Sequence, residues 1–405
     1  MPVSFKLKIN LMKIVYFFSL ILITFSCNSQ DSILYEIDPR NFVENKIILS
    51  EIADDITYIP LDNNIPFTYF NHVITPTSCY IAAKGIGILE FDREGNLIKK
   101  IGSRGRGPGE FWYGMEFAVD ERTGNVYVLD HGKVKVYSQS GIFLRDIFFK
   151  EYIGGYGMGG DIEIYNSLLF IPDYLSTGDS KYCWVFLDTL GNLVAKKENS
   201  VPPFHTNIVT KGSIYRFENK LFYYNYFNDT IYSISSDLSI NAAYLFAKGD
   251  HRWPRAMIET NSQSQFQSQL FKLFRPLMMF ETEHFIVLLY AYLERSAISL
   301  IDKKTKKTFL ALKYEERPGS MVKSKACIIN DLDGGMPLPN LNYYVEDGKE
   351  YITTLINPFD LKVYISGDEF KNTVPKYPEK KKELERLVNS LKETDNPVLV
   401  LVSLK

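Results

Sequence analysis

The stretch YIAAKGIGILEFDREGNLIKKIG, Tyr80 to Gly102, aligns without a gap on VYVLDHGKVKVYSQSGIFLRDIF, Val126 to Phe148, 46 residues further along the chain. Phe91 falls on Tyr137, Gly95 on Gly141, Leu97 on Phe143 and Ile101 on Ile147. Each copy reads strand, short turn, strand, glycine turn, strand. Side chains alternate at period two along the strands, and DREGN and SQSG supply the polar and glycine residues that tight hairpins need. Asp92 precedes its turn, as do Asp188 and Asp302 in later copies. An aspartate there accepts hydrogen bonds from the turn's own backbone, so these three read as structural.

Weaker copies follow: CWVFLDTLGNLVAKK from Cys183, LFYYNYFNDTIYSISSDLSINAAYLF from Leu221, FIVLLYAYLERSAISLIDKKTKKTFLALKY from Phe285 and YYVEDGKEYITTLI from Tyr343. Units of about 40–50 residues built from short antiparallel strands are the sequence mark of β-propeller blades. The expected fold is all-β, a six-bladed β-propeller. The strand-like ends Ile56–Leu61 and Val398–Leu404 have no complete unit of their own and are expected to share one blade, which closes the ring and hides a strand edge. Two segments break the pattern. Met257–Phe274 reads as a short helical insertion. Pro378–Lys392 sets Leu384, Leu387, Val388 and Leu391 on one face, with proline at the first turn, and reads as a C-terminal helix before the closing strand.

Between the first two copies lies IGSRGRGPGEF, Ile101 to Phe111. A phosphate-binding P-loop needs GKS or GKT opening a helix, and a dinucleotide fingerprint needs a βαβ unit, whereas strands follow here. The glycines read as a crossing between blades that uses positive φ and close packing. Gly107 is expected to be among those that matter.

The N-terminus carries Lys6, Lys8 and Lys13, then an apolar run from Ile14 to Phe25, then Ser26-Cys27. That order marks an export signal over residues 1–26, and the run is short for a membrane span. TFSC, Thr24 to Cys27, resembles a relaxed lipobox, which makes Cys27 the candidate lipidation site. Residues 27–45 then form a tether and 46–405 the propeller domain. Cys79, Cys183 and Cys327 are far apart and odd in number, and read as free thiols rather than a disulfide set. A formal net charge of −2 gives no global attraction to nucleic acid.

IG-x-x-G-x-GPGEF, followed by Phe117-Ala118-Val119-Asp120, Val126–Asp130 and Val134–Tyr137, resembles the NHL-type repeat. With the lipobox, ITYIPLD (Ile56 to Asp62) and the closing DNPVLVLVSLK (Asp395 to Lys405), the chain resembles the six-bladed β-propeller lipoproteins of Bacteroidota. The resemblance implies a propeller closed by both termini and held to the outer membrane of the cell envelope, periplasmic or surface-facing. It implies no particular ligand.

Candidate ligand-binding residues are Arg104 and Arg106, which can face an anion at the propeller mouth, and Glu110 and Trp112 beside them, an aromatic with polar neighbours of the kind that holds sugars. Asp130 and His131 are expected to end an inner strand and reach the channel. No HExxH, paired Cys/His spacing or GxSxG occurs, so no metal, cofactor or catalytic residue is assigned. The reading is a binding or interaction scaffold for a glycan, peptide or partner protein. The alternative is a propeller hydrolase or lyase acting on a sugar derivative or lactone, with Ca²⁺ gathered from several blades; a group of converging channel carboxylates would favour it.

Overall fold

The computed structural model describes residues 34–405 except 113, 154–159, 174–179, 201–211, 226–227, 253–271, 312, 315–323, 326 and 339–340. The export signal, Cys27 and most of the expected insertion Met257–Phe274 therefore lie outside the described residues.

The repeat becomes a ring of six antiparallel blades. Blade 1 is Tyr69–Ile74, Ser78–Ala83, Gly87–Asp92 and Leu97–Ile101; blade 2 is Phe117–Asp120, Asn125–Asp130, Lys133–Tyr137 and Phe143–Phe148. Blade 3 is Glu163–Tyr165, Leu168–Pro172, Tyr182–Leu187 and Leu193–Glu198. Blade 4 is Ser213–Phe217, Lys220–Tyr224, Thr230–Ile234 and Ile240–Phe246, and blade 5 is Arg275–Glu281, Phe285–Tyr292, Arg295–Asp302 and Thr308–Ala311. The stretches quoted from Tyr80, Val126, Leu221 and Phe285 thus supply a blade's outer three strands, with the strand before each the innermost; that from Cys183 supplies the outer two of blade 3, and that from Tyr343 the inner two of blade 6.

Blade 6 is built from both ends of the chain. Asn342–Glu346, Lys349–Ile356 and Val398–Leu404 form its first three strands, and Ala53–Pro60 is its outermost, paired in register from Ile56↔Val402 to Pro60↔Val398. All seven residues of Val398–Leu404 are buried. Ahead of Ala53–Pro60 the N-terminal segment runs along the outer edges of blades 4 and 5: Ala247 N–H donates to the Ile37 carbonyl at 3.0 Å, Glu44 bridges Leu310, and Ile48 then bridges Ile329 in the connection between blades 5 and 6. Edges that would otherwise present unpaired backbone are covered.

The three aspartates behave as read. Asp92 Oδ1 accepts from the N–H groups of Glu94 and Asn96, and Asp188 Oδ1 from those of Leu190 and Asn192. Asp302 Oδ1 accepts from Lys304 and Thr305. These hydrogen bonds hold all three carboxyls below the usual carboxylate range.

Packing lies between blades. Tyr80, Ile88 and Ile101 of blade 1 meet Val126, Val128 and Tyr137 of blade 2, while Phe170, Trp184 and Phe186 of blade 3 meet Leu221 and Tyr223 of blade 4. Strand direction sorts the connections onto two faces. After the first and third strands they are tight turns. After the second and fourth they include the long crossings and a helical insertion of blade 6, Pro358–Ser366, Asp368–Asn372 and Pro378–Ser390. The last is the expected C-terminal helix, burying Leu384 and Val388. The first two were not read from sequence. Cys79, Cys183 and Cys327 are free thiols.

Candidate functional site

The innermost strands of all six blades surround an open central channel of about 1220 Å³. Its wall is acidic. Glu116, Glu121, Asp161, Glu163, Glu218, Glu283 and Glu350 line it against the cations Arg216 and Lys220. His72, also in the wall, adds no charge near neutrality, because burial pulls its pKa down to about 4.

Glu163 and Glu121 share Arg216, while Glu350 and Glu116 have partners of their own. Arg216 Nε lies 3.3 Å from Glu163, and its Nη2 lies 3.9 Å from Glu121. Burial pushes the Glu163 carboxyl up, and Arg216 opposes the shift. Glu350 accepts from the Tyr343 hydroxyl and from the Glu283 backbone N–H. Asn71 Nδ2 donates to Glu116 Oε2 at 3.3 Å. Among the described residues no three His, Cys, Asp or Glu side chains are grouped closely enough to hold a metal ion. Aromatic rings complete the wall, Phe280 stacking on Tyr343 with centroids 5.3 Å apart.

The residues singled out from sequence gather elsewhere. Ser103–Arg104 pairs in parallel with Glu110–Phe111, folding the crossing back on itself. Glu110 Oε2 accepts from Gly107 N–H at 2.8 Å and closes the loop. The Tyr137 hydroxyl donates to the Gly109 carbonyl at 2.9 Å, and Asp130 Oδ1 accepts from Trp112 N–H at 3.1 Å, so the loop is tied to blade 2. The guanidinium groups of Arg104 and Arg106 lie over the Trp112 ring, 5.1 and 4.7 Å from its centroid.

This corrects one expectation. Asp130 ends the second strand of blade 2, not an inner one; it and His131, which forms the following turn at φ +44°, do not line the channel. Trp112 carries the guanidinium groups of Arg104 and Arg106 over its ring. Arg104, Arg106, Glu110, Trp112 and Asp130 do come together as one loop cluster. The channel residues were missed because each strand contributes only a few, and no local motif links positions tens of residues apart.

A ring of six blades of four strands each, with blade 4 extended by Tyr35–Ile37, closed by pairing both chain ends and open along its axis, defines a six-bladed β-propeller. The chain belongs to the family defined by a domain of unknown function, DUF4934, whose model matches residues 34–403. No curated protein matches it. Among solved structures, a protein of Bacteroides fragilis described as exported is 18% identical and aligns over 89% of this chain and 98% of its own, with a TM-score of 0.64. A member of the DUF4221 family from Bacteroides vulgatus is 12% identical over 87% and 97%, with a TM-score of 0.47. Virginiamycin B lyase from Staphylococcus aureus is 10% identical over 86% and 99%, with a TM-score of 0.41. At these identities the first likeness bears on the fold alone.

Proposed function

We propose that this protein is an exported, lipid-anchored propeller of the cell envelope, with NHL-like repeats, that binds a glycan, a peptide or a segment of a partner protein in its central channel. The observation that carries the reading is the channel itself: six blades converge on one open cavity walled by hydrogen-bonding and aromatic side chains, the arrangement by which preformed sites bind. Carboxylates outnumber cations in its wall, so it favours ligands bearing positive charge or hydroxyl donors. Because Glu163, Glu350 and Glu116 are each held by a different partner, the geometry supports binding over metal-assisted hydrolysis. Lipidation at Cys27, after the apolar run, supplies the anchor.

Two measurements test this. Basic peptides and neutral oligosaccharides are screened by thermal shift and calorimetry against the wild type and a Glu116→Gln/Glu350→Gln variant, which removes two of the wall's carboxylate charges. A ligand that stabilises the wild type, with weaker binding to the variant, is the expected result; for a basic peptide the affinity should also fall with salt. Ligands that bind both proteins equally would remove the channel from the account, and turnover of a lactone or sugar derivative would replace binding with the hydrolase or lyase reading. For the anchor, Cys27→Ser is expected to lose acyl labelling and membrane fractionation.

A further inference from the structure

We propose that the loop Ser103–Trp112 is a second, independent binding site, for an oxyanion group of a ligand approaching the face that carries the long crossings. The observation is a pair of stacked cations. Arg104 and Arg106 are both exposed, and both guanidinium groups lie over the same indole. Among the described residues neither makes an ion pair.

Two positive charges on one small ring repel each other, and the nearest candidate for relief does not supply it. Glu110 turns its carboxylate into the loop, onto Gly107 N–H, and forms no ion pair with either arginine. Asp130 is buried beneath the loop, with Oδ1 on the Trp112 backbone. The repulsion is left for a ligand to relieve.

The loop is also rigid where it needs to be. Parallel pairing, the Glu110 closure and the two ties to blade 2 fix its backbone. Stacking on Trp112 then limits the freedom of side chains that would otherwise sweep solvent. A guanidinium drawn over an indole meets the ring through its π face or its carbon and leaves N–H groups for a ligand, and those N–H groups match a carboxylate, sulfate or phosphate ester by paired hydrogen bonds. Lysine in the same place would offer charge without the planar edge. The acidic channel repels such a ligand, so this site does not depend on the channel reading.

The test measures binding of inorganic phosphate, inorganic sulfate and oligogalacturonate by calorimetry at low ionic strength, three arms that separate tetrahedral from planar oxyanions. The full mature chain is used as wild type, Arg104→Gln/Arg106→Gln, Arg104→Lys/Arg106→Lys, Trp112→Leu and Arg216→Ala. At least one arm is expected to bind the wild type, and the glutamine pair should weaken it by about tenfold or more with an unchanged thermal transition. The lysine pair and Trp112→Leu should also bind more weakly, since one removes the planar edge and the other the platform. Arg216→Ala should bind as the wild type does. Three outcomes overturn the proposal: no arm binding the wild type, a glutamine pair that binds as tightly, or an Arg216→Ala variant that alone loses binding. A lysine pair equal to the wild type would overturn the stacked-edge geometry.

Discussion

Gly109 shows how much a single backbone position decides. Its φ is +71°, and a Cβ added there would stand 2.8 Å from Phe143 Cβ. Gly102 is similar, at φ +61° with Phe111 at 2.5 Å. Gly107, the position singled out from sequence, has no left-handed backbone, and its added Cβ would meet the end of the Glu110 side chain at 3.1 Å. A flexible carboxylate yields where a packed ring does not. Gly109→Ala is therefore expected to destabilise by about 1–3 kcal/mol, through strain and overpacking. Gly107→Ala should cost clearly less, and urea titration of both variants checks the order. The composition GSRGRGPGE announces a glycine-dependent turn. Which glycines carry positive φ follows from how the crossing meets Phe111 and Phe143, and those contacts come from the fold.

At the scale of elements, the legible features were those written in consecutive residues. The Asp-x-x-Gly turns and the period-two strands mark the outer three strands of the blades. The Pro378 helix shows because an apolar stripe and a starting proline coincide. Pro358–Ser366 does not show, because its apolar residues do not gather on one face and Phe359 and Val363 are exposed. Blade 6 was legible for a different reason, that two strong strands at opposite ends of the chain lacked partners. Its closure is secured by Asn396, which is buried beside the crossing into blade 1. The side chain donates to the carbonyls of Asp62 at 2.6 Å and Ile65 at 2.9 Å, and accepts from Phe67 N–H at 3.0 Å. Asn396→Ala leaves two part-buried carbonyls and an N–H without that partner and is expected to cost about 1–3 kcal/mol. Deleting residues 395–405 removes the third strand of blade 6 and strips Ala53–Pro60 of its pairing. That truncation should abolish the cooperative thermal transition; an unchanged transition would refute closure by the termini.

For the whole molecule, the ring is only as strong as its seam, and the seam holds a titratable group. His72, on the innermost strand of blade 1, places Nε2 2.9 Å from Thr353 Oγ1 of blade 6, with Asn342 Nδ2 3.2 Å from Nδ1. A neutral imidazole can accept from the Asn342 amide through one nitrogen and donate to Thr353 through the other; an imidazolium cannot accept at all. Burial lowers its pKa from 6.5 to about 4. In the unfolded chain the same ring takes up a proton near its ordinary value, so between these limits the unfolded state binds more protons. The contribution is complete above pH 6.5, declines as pH falls from there, and is exhausted near pH 4. A shift of this size corresponds to about 3 kcal/mol at its limit. His251, also depressed by burial, acts in the same direction, so the His72 share has to be isolated. The isolating variant is His72→Gln, which keeps an acceptor and a donor and does not titrate. Chemical denaturation at intervals from pH 7.5 to 4 should show wild-type stability falling through this window and a shallower slope for His72→Gln. Parallel slopes would mean that the seam imidazole is not held neutral in the closed ring.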